Sequence, residues 1–383
     1  MIVRALESVL RSDLNRGKVI VLLGPRQVGK TTLVRKIASE VYPAYRYLNG
    51  DLPATRQLLS SANLESLSSA LDNSSFVVLD EAQRIDDIGL KLKTLIDRYP
   101  DRQLLVTGSS ALELAYGTHE PLTGRKYVHH LYPISYAELV DNVGSVSALD
   151  QLSERLIYGS YPEVINEASH PRRHLDLIVE SYLYKDLLGL PGLRRVDLLQ
   201  KILQALAFQV GSEVSYPEIG RTVDADKQTV ERYIDLLEKA YVIFRLPSLS
   251  RNLRTEIKRG RKVYFWDNGV RNALISNFSP PTIRQDMGAL WENFLVSERL
   301  KAKSYQLGYA NHYFWRTHGQ QEIDYIEERD GQLTAYEFKW STKKKTVRFP
   351  KTFRTAYPNA PTVVVTPHNF IPFVSDWNQD LVS

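Results

Sequence analysis

Apolar positions in the first 110 residues follow two patterns. Continuous β-branched and leucine-rich runs at 19–23, 75–80 and 103–107 predict strands buried on both faces of a parallel sheet, and residues 45–48 predict a further strand. Residues 32–41 instead repeat apolar positions at helical spacing. Because strands alternate with helices, this part of the chain is expected to form an α/β fold.

Helical spacing dominates the middle of the chain. Residues 148–190 predict a helical lid or linker. Helices are also expected at 198–210, 215–220 and 224–239, with a strand at 241–246. This order predicts a winged helix-turn-helix, whose third helix enters the major groove in DNA-binding proteins.

Strand patterns return in the C-terminal third of the chain. Strands are expected at 263–267 and 313–316, on either side of a helix at 287–298. Residues 322–340 then alternate around a turn signal and predict a β-hairpin, with a four-residue loop at 329–332. The C-terminal third is therefore expected to be a second α/β region.

The composition narrows the class of protein without identifying it. No apolar run approaches the roughly 18 residues that a membrane-spanning helix needs, and residues 1–17 lack the apolar core of a signal peptide. The absence of cysteine excludes disulfides, thiolate metal sites and cysteine catalysis, and it fits a cytoplasmic protein. A net charge of +5 permits nucleic-acid binding without demanding it.

A glycine-bracketed loop, GPRQVGKT at 24–31, joins the first strand to the following helix. In this context GxxxxGK[ST] binds phosphate, because the glycines let backbone N–H groups wrap the β-phosphate and the helix N-terminus adds its positive dipole. Lys30 is expected to reach the β- and γ-phosphates, and Thr31 to offer a hydroxyl to Mg²⁺. The residues expected to contact the nucleotide are Gly24, Pro25, Arg26, Gln27, Val28, Gly29, Lys30, Thr31 and Thr32.

Acidic and hydroxyl side chains follow the next apolar runs. Asp80 is expected to hold Mg²⁺, and Glu81 to polarise the attacking water. Ser109 is the candidate for contact with the γ-phosphate, although an ordinary Gly-Ser turn also explains it. Arg125 is the candidate arginine that neutralises transition-state charge, either in its own chain or in a neighbouring copy.

These motifs, in this order, resemble the AAA-type ATPase domain of a large bacterial and archaeal ATPase family. The resemblance implies binding of ATP with Mg²⁺. It also points to a homo-oligomeric ring, although monomeric and dimeric relatives of P-loop ATPases are common, so the oligomeric state stays open. The resemblance further implies a C-terminal domain similar to restriction-endonuclease-type nucleases. The segments that carry it are GPRQVGKTTL (24–33), FVVLDEAQRI (76–85), LLVTGSSALEL (104–114), LTGRKYVHHLYPISYAEL (122–139) and YGSYPEV (158–164), the last departing from the family's Gly-Gly-Phe-Pro-Glu patch at Ser160 and Tyr161.

A length of 383 residues is too great for one ordinary core, so we expect several domains. Residues 1–147 are expected to form the AAA-type P-loop ATPase domain, and residues 148–195 the helical lid or linker. Residues 196–250 are expected to form the winged helix-turn-helix. Residues 251–383 are expected to form the nuclease-like α/β domain.

A second set of acids falls on the predicted C-terminal hairpin. Its register places Asp324 opposite Glu337, with Glu292 on the preceding helix and Lys339 two residues after Glu337. The set resembles the D…(D/E)xK constellation of restriction-endonuclease-like nucleases, in which Asp324 and Glu337 would hold Mg²⁺ for phosphodiester hydrolysis. Two other interpretations stay open: a surface strand pair with cross-strand ion pairs, and a nuclease-like fold that only binds.

Basic residues accompany both C-terminal modules. Residues 251–262 contain six Arg or Lys, and Lys343, Lys344, Lys345 and Arg348 follow the hairpin, so both stretches are candidates for contact with a nucleic-acid backbone. The third helix of the winged helix-turn-helix is expected to face outward with Lys227, Gln228, Thr229 and Arg232. Acids on the same helix would repel phosphate, so the module could instead only dock domains. Those acids are Asp224, Asp226, Glu231 and Asp235.

The sequence thus predicts a Mg²⁺-dependent ATPase that couples ATP hydrolysis to binding or processing of double-stranded or branched DNA. The alternative is an ATP-driven switch or assembly scaffold whose C-terminal domain binds protein partners. A nucleoside or small-molecule kinase fits poorly, because the chain carries two further domains.

Overall fold

The computed structural model groups the chain into two compact units. The first comprises Met1–Tyr132 with Lys239–Tyr241, and the second comprises Pro133–Glu238 and Val242–Ser383. No helix in the described residues is both long enough and apolar enough to cross a membrane. The residues that the structure describes are 2–60, 63–72, 74–109, 122–167, 169–180, 195–250, 260–317, 319–341 and 347–375.

A parallel sheet forms the centre of the first unit. Its strands are β1 (Val19–Leu23), β2 (Arg46–Asn49), β3 (Phe76–Asp80), β4 (Gln103–Gly108) and β5 (Lys126–His130). Every residue of β1, β3 and β4 is buried, which confirms the prediction from the continuous apolar runs. The α-helices described in this unit are α1 (Leu6–Ser12), α2 (Lys30–Val41), α3 (Pro53–Leu58), α4 (Leu64–Leu71) and α5 (Ile88–Arg98).

The strand order β2-β3-β4-β1-β5 inserts β4 between the strand before the phosphate loop and the strand that ends in acids. Leu22 of β1 is level with Thr107 of β4, and Leu79 of β3 is level with Val106. Because all these strands run in one direction, their carboxyl ends meet at one edge of the sheet, where ligands bind in such folds. We call this the phosphate edge.

A short segment from late in the chain completes the first unit. Lys239–Tyr241 belongs to it, although the residues on both sides belong to the second unit. The ring centroid of Tyr241 lies 5.5 Å from that of His130 and 6.4 Å from that of Tyr132. Burial lowers the pKa of His130 to about 4, so its ring is neutral near pH 7.

Short helices begin the second unit. They are α6 (Tyr136–Val143), α7 (Ser145–Asp150), α8 (Leu152–Tyr158), α9 (Pro162–Asn166) and α10 (Pro171–Ile178). A capping box starts α6, because the Ser135 hydroxyl accepts a hydrogen bond from Glu138 N and the Glu138 carboxylate accepts one from Ser135 N. Residues 133–139 (PISYAEL), which end the segment 122–139 of the family resemblance, therefore contain the start of a helix.

A helical group with a small antiparallel sheet follows. Its elements are α11 (Val196–Phe208), β6 (Glu213–Val214), α12 (Tyr216–Val223), α13 (Lys227–Lys239), β7 (Ile243–Pro247) and β8 (Arg261–Phe265). Ser215 caps α12, since its hydroxyl accepts a hydrogen bond from Glu218 N. The sequence placed β8 in the C-terminal domain, yet β8 pairs with both β6 and β7. The boundary at 250 therefore falls between two strands of one sheet, because strand partners cannot be read from local patterns.

A separate mixed sheet occupies the C-terminal part. Its order is β12-β11-β10-β9, in which β12 is parallel to β11 and the other pairs are antiparallel. Trp315, Ile323 and Phe353 belong to a buried apolar cluster on this sheet. The elements are α14 (Asn268–Leu274), α15 (Met287–Tyr305), β9 (Asn311–Arg316), β10 (Glu322–Arg329), β11 (Gln332–Phe338), α16 (Lys351–Ala356), β12 (Thr362–Val365) and α17 (Phe370–Ser375).

The turn of the predicted hairpin is shorter than expected, although its register is right. Only Asp330 and Gly331 separate β10 from β11, with φ of 48° and 79°. Positive φ at both positions is the requirement of a two-residue type I′ turn, which Asp-Gly satisfies. The pairing of Tyr325 with Tyr336 continues to Asp324 opposite Glu337. The predicted loop of residues 329–332 was one residue too long at each end, and this symmetric error leaves the register unchanged.

Candidate nucleotide site and a second charged cluster

The phosphate loop runs from the end of β1 into α2. Its backbone takes positive φ at Gly24 (150°), Gln27 (62°) and Gly29 (93°). A Cβ on Gly24 would lie 2.1 Å from the carbonyl oxygen of Leu131, so this position requires glycine. The predicted nucleotide contacts, residues 24–32, all lie on this loop and the first turn of α2.

Lys30 lies inside the loop that it ends. It is 5% exposed, and its Nζ donates hydrogen bonds to the carbonyl oxygens of Gly24 (2.9 Å) and Pro25 (2.7 Å). A buried ammonium needs such partners. The positive charge is therefore held at the phosphate edge, where the sequence predicted it.

Arg4 supports the phosphate loop from the N-terminal segment. Its guanidinium is buried and donates hydrogen bonds to the carbonyl oxygens of Val28 (2.6 Å) and Tyr132 (2.7 Å). No local pattern indicates this contact, because the partners are 24 and 128 residues away along the chain. Arg4 thus ties the loop to the end of β5.

Asp80 is the centre of a hydroxyl network at the phosphate edge. This carboxylate is 2% exposed, and its Oδ2 accepts hydrogen bonds from Thr31 Oγ1 (2.8 Å) and the Tyr47 hydroxyl (2.7 Å). Its Oδ1 accepts a hydrogen bond from the Thr107 hydroxyl. The predicted pair Thr31 and Asp80 is therefore brought together, and Tyr47 and Thr107 join it.

Glu81 follows Asp80 in a left-handed conformation, with φ of 52°. Its Oε2 accepts a hydrogen bond of 2.5 Å from Gln83 Nε2, and its backbone N donates to Thr107 Oγ1. Strained backbone of this kind occurs at functional sites more often than elsewhere. Ser109, the predicted contact of the γ-phosphate, lies close by, and its backbone N donates to Gln83 Oε1 over 3.3 Å.

Thr31 and Asp80 fit a Mg²⁺ ion. Both present oxygen atoms, the ligands that Mg²⁺ prefers, and the two side chains lie within hydrogen-bond distance of each other beside the phosphate loop. An ion held there would neutralise charge on the phosphates. The cofactor prediction of ATP with Mg²⁺ is thus consistent with the donor set.

Arg125 lies away from the other predicted residues. Its carbonyl oxygen accepts a hydrogen bond from Val19 N, at the start of β1, and its guanidinium pairs with Asp97. The phosphate loop leaves the opposite end of β1, about 13 Å away for a five-residue strand. The strand direction therefore places Arg125 away from the phosphate loop of its own chain, which favours a role toward a neighbouring copy. The role of Arg125 stays a prediction.

Comparison with known proteins agrees with this geometry. The family described as AAA domain matches residues 16–140. An uncharacterized protein of Mycobacterium tuberculosis is 31% identical over 335 residues, which cover 86% of this chain and 72% of that protein. The chain belongs to the AAA-type P-loop ATPase family. Membership in this family supports ATP binding and ATPase activity.

Other proteins resemble this AAA-type ATPase at lower identity or over less of the chain, and two further parts of the chain match families of unknown function. The Walker-type ATPase of Pyrococcus abyssi has a TM-score of 0.50 and 16% identity, over 72% of this chain and 96% of that one, which supports the fold alone. An uncharacterized protein of Haemophilus influenzae is 30% identical over 45% of this chain and 46% of its own. Residues 149–281 and 287–381 match families described as domains of unknown function, DUF8612 and DUF4143.

The YGSYPEV segment of this AAA-type ATPase has a structural role in the second unit. Ser160 N donates a hydrogen bond of 2.7 Å to Asp267 Oδ2, and the Asp267 side chain also caps α14 through Val270 N. A Cβ on Gly159 would lie 2.0 Å from Asp267 Oδ1. The segment is therefore shaped to pack against this buried cap.

The predicted C-terminal acids do come together in this ATPase. Lys339 Nζ lies 2.6 Å from Glu337 Oε2 and 3.7 Å from Asp324 Oδ2, and Phe338 N donates to Asp324 Oδ2 over 2.8 Å. Glu292 is close enough for its charge and that of Asp324 to affect each other. We call the four acids Glu292, Glu322, Asp324 and Glu337 the acid cluster.

Lys262 of β8 lies within the acid cluster. Its side chain is 1% exposed, and its Nζ lies 2.8 Å from Glu292 Oε1 and 2.6 Å from Glu322 Oε1. The Tyr264 hydroxyl, on the same face of β8, donates to Glu292 Oε1 over 2.7 Å. Sequence reasoning treated Lys262 as the end of a basic surface stretch. Strand alternation was the signal that could have found this contact, because Lys262 and Tyr264 lie on the same face of β8.

The electrostatics of the acid cluster are those of an ion-paired group. Burial raises the pKa of Glu292 to about 7, although Lys262 opposes this shift. Burial also raises the pKa of Glu337, with the nearby charge of Asp324 adding to it. Burial alone would lower the pKa of Lys262, but the surrounding carboxylates outweigh it and raise that pKa.

The predicted Mg²⁺ site of Asp324 and Glu337 stays a prediction. Lys339 pairs with both acids, as the D…(D/E)xK pattern implies, and Lys262 pairs with the neighbouring Glu292 and Glu322. Within the described ranges, no three His, Cys, Asp or Glu side chains are placed to hold a metal ion. The lysine pairs are consistent with both alternatives to an active nuclease, a strand pair with cross-strand ion pairs and a nuclease-like fold that only binds.

Replacing Lys262 by methionine is expected to lower the free energy of unfolding by about 3–5 kcal/mol. The reason is that Glu292 and Glu322 would lose their shared cation in a buried site. Urea denaturation of the full chain measures this change. Lys201→Met, at an exposed position of α11, is the matched control. Equal stability of the two variants would contradict the assignment.

Proposed function

We propose that this chain is a Mg²⁺-dependent ATPase that uses ATP binding and hydrolysis to control its binding of nucleic acid. The observation that carries the ATPase part is the network of Thr31, Thr107 and Glu81 around Asp80, at the end of the phosphate loop. The side chains expected to hold a metal–nucleotide and to activate water lie at one edge of one sheet.

Phosphate binding, metal binding and activation of water are assigned to different residues of the site. Loop N–H groups and Lys30 bind the phosphates. Thr31 and Asp80 would hold Mg²⁺, which neutralises developing charge on the phosphates. Glu81 would orient the attacking water and accept its proton, while Gln83 fixes the position of the Glu81 carboxylate.

The nucleic-acid part of the proposal rests on α13, as the third helix of a winged helix-turn-helix. Lys227, Gln228 and Arg232 are exposed on this helix, as predicted. One of the acids that argued against phosphate contact is paired with a cation, since Asp235 lies 2.7 Å from Arg245. Asp226 precedes the helix and accepts hydrogen bonds from the N and Oγ1 of Thr229, but it keeps its charge. The acids therefore oppose a phosphate backbone only slightly less than the composition indicates.

Fluorescence anisotropy with labelled linear, single-stranded and branched DNA tests this part. With both Lys227→Gln and Arg232→Gln, we expect weaker binding and a slope of log K against log[salt] that is smaller by about 2, one for each lost phosphate contact. Lys201→Gln, on α11 of the same helical group, should leave both values unchanged. Equal binding by the double variant and the wild type would contradict a role for α13.

The same DNA substrates test the C-terminal domain for cleavage. Because Lys262 fills the acid cluster, we expect no cleavage with Mg²⁺ or Mn²⁺, with or without ATP. Cleavage that is lost in both Asp324→Ala and Lys339→Ala would restore the predicted nuclease site.

A second candidate function is an ATP-driven switch or scaffold whose C-terminal domain binds protein partners. The observation that favours it is the pairing of the acid cluster with Lys262 and Lys339, because a nuclease-like fold whose acids hold no metal would only bind. Neutralising Lys343, Lys344 and Lys345, which lie outside the described residues, separates the two functions. Unchanged DNA affinity together with nucleotide-dependent oligomer size would support the scaffold.

A further inference from the structure

Tyr47 reaches the phosphate edge from β2, the strand next to β3. Its hydroxyl donates to Asp80 Oδ2, the same oxygen that accepts a hydrogen bond from Thr31. The segments that carry the family resemblance do not include Tyr47. The residue therefore contacts the expected metal-holding side chain from a part of the chain with no assigned role.

Asp80 is held from both neighbouring strands. Tyr47 of β2 bonds Oδ2, and Thr107 of β4 bonds Oδ1. A carboxylate fixed at both oxygens has little freedom to rotate. Groups that hydrogen-bond a metal-binding carboxylate set its orientation and affect metal affinity, even though they do not contact the metal.

The ring of Tyr47 is itself held in place. The guanidinium of Arg35, on the helix that follows the phosphate loop, lies 4.9 Å from the ring centroid. The ring position keeps the hydroxyl 2.7 Å from Asp80 Oδ2, so Tyr47 is placed to donate a hydrogen bond to this carboxylate.

We propose that Tyr47 is a positioning residue that orients Asp80 toward the Mg²⁺ of bound Mg-nucleotide. Thr31 would hold the metal through its hydroxyl oxygen, and Tyr47 would keep the Asp80 carboxylate in place through its own hydrogen bond. The inference rests on the proposed ATPase function. It predicts that Tyr47 affects the affinity for the metal and leaves the affinity for the nucleotide alone unchanged.

The test is Tyr47→Phe, which keeps the ring, its packing and the Arg35 contact and removes only the hydroxyl. Isothermal titration calorimetry measures ADP binding to the full chain, first in EDTA and then over a series of Mg²⁺ concentrations. The loss of a hydrogen bond to a charged group predicts that the variant needs roughly tenfold more Mg²⁺ for the half-maximal increase in ADP affinity. Binding in EDTA should match the wild type.

Tyr42→Phe is the matched control, since it also removes a tyrosine hydrogen bond, in this case to Asn15 over 2.9 Å. It should leave the Mg²⁺ requirement unchanged. If wild type and Tyr47→Phe need the same Mg²⁺ concentration, the inference about Tyr47 fails and the ATPase function stands. If the wild type binds ADP with no response to Mg²⁺, or binds no ADP, the proposed function fails with it.

Discussion

Glu81→Gln is expected to bind Mg-ATP as the wild type does and to hydrolyse it at least about a hundredfold more slowly. Glutamine keeps the size of the side chain but cannot accept the proton of the attacking water. The hydrogen bonds at the Glu81 backbone and the left-handed turn do not depend on the carboxylate charge. The phosphate loop and the Asp80 network should therefore be preserved.

Phosphate release and ATP binding, measured on the same preparation, check this prediction. Gln83→Leu is an informative companion, because it removes the group that donates to Glu81 Oε2 and leaves the carboxylate present. It should slow hydrolysis less than Glu81→Gln does. Full turnover by the Glu81→Gln protein would show that another group activates the water.

Lys30→Ala is expected to weaken ATP and ADP binding at least about a hundredfold, because charged hydrogen bonds to the phosphates are lost. In the protein itself Lys30 bonds two loop carbonyls, so its removal should cost less in stability than in binding. Calorimetry of ADP binding and thermal unfolding of the same variant separate the two effects.

Lys36→Ala provides the control for Lys30. It removes a lysine from the same helix, one that pairs with Glu7 over 2.8 Å and lies away from the loop. Its nucleotide affinity should equal that of the wild type. Near-normal ADP binding by Lys30→Ala would mean that the loop amides alone hold the phosphates, and the role of the ammonium would have to be revised.

The structural features that depend on a short stretch of chain were the ones that the sequence predicted best. A buried strand, a glycine loop and a helix start follow one another within residues 19–41, so the place of Lys30 and Thr31 was readable. Asp80 and Glu81 followed because parallel strands end at a common edge. The Asp-Gly turn left the hairpin register correct, although its length was not.

Contacts that depend on strand order were not predictable from local patterns. Tyr47 and Thr107 reach Asp80 because β2 and β4 flank β3, and no pattern within either strand indicates its neighbours. Lys262 enters the acid cluster from β8, which pairs with β6 and β7 and not with the C-terminal hairpin. Arg125 lies far from the phosphate loop of its own chain for a simpler reason. It precedes β5, and the amino end of a parallel strand points away from the phosphate edge.

Lys239–Tyr241 belongs to the first unit, although most of that unit ends at residue 132. This limits where the chain can be cut to obtain the first unit as a fragment. A fragment that ends at residue 132 would carry the phosphate loop and the acids but not Tyr241. The rings of His130 and Tyr132 would then lose an aromatic neighbour and face water. Poor solubility or weak nucleotide binding in such a fragment would reflect this missing contact and would say little about the ATPase, so nucleotide measurements belong on the full chain.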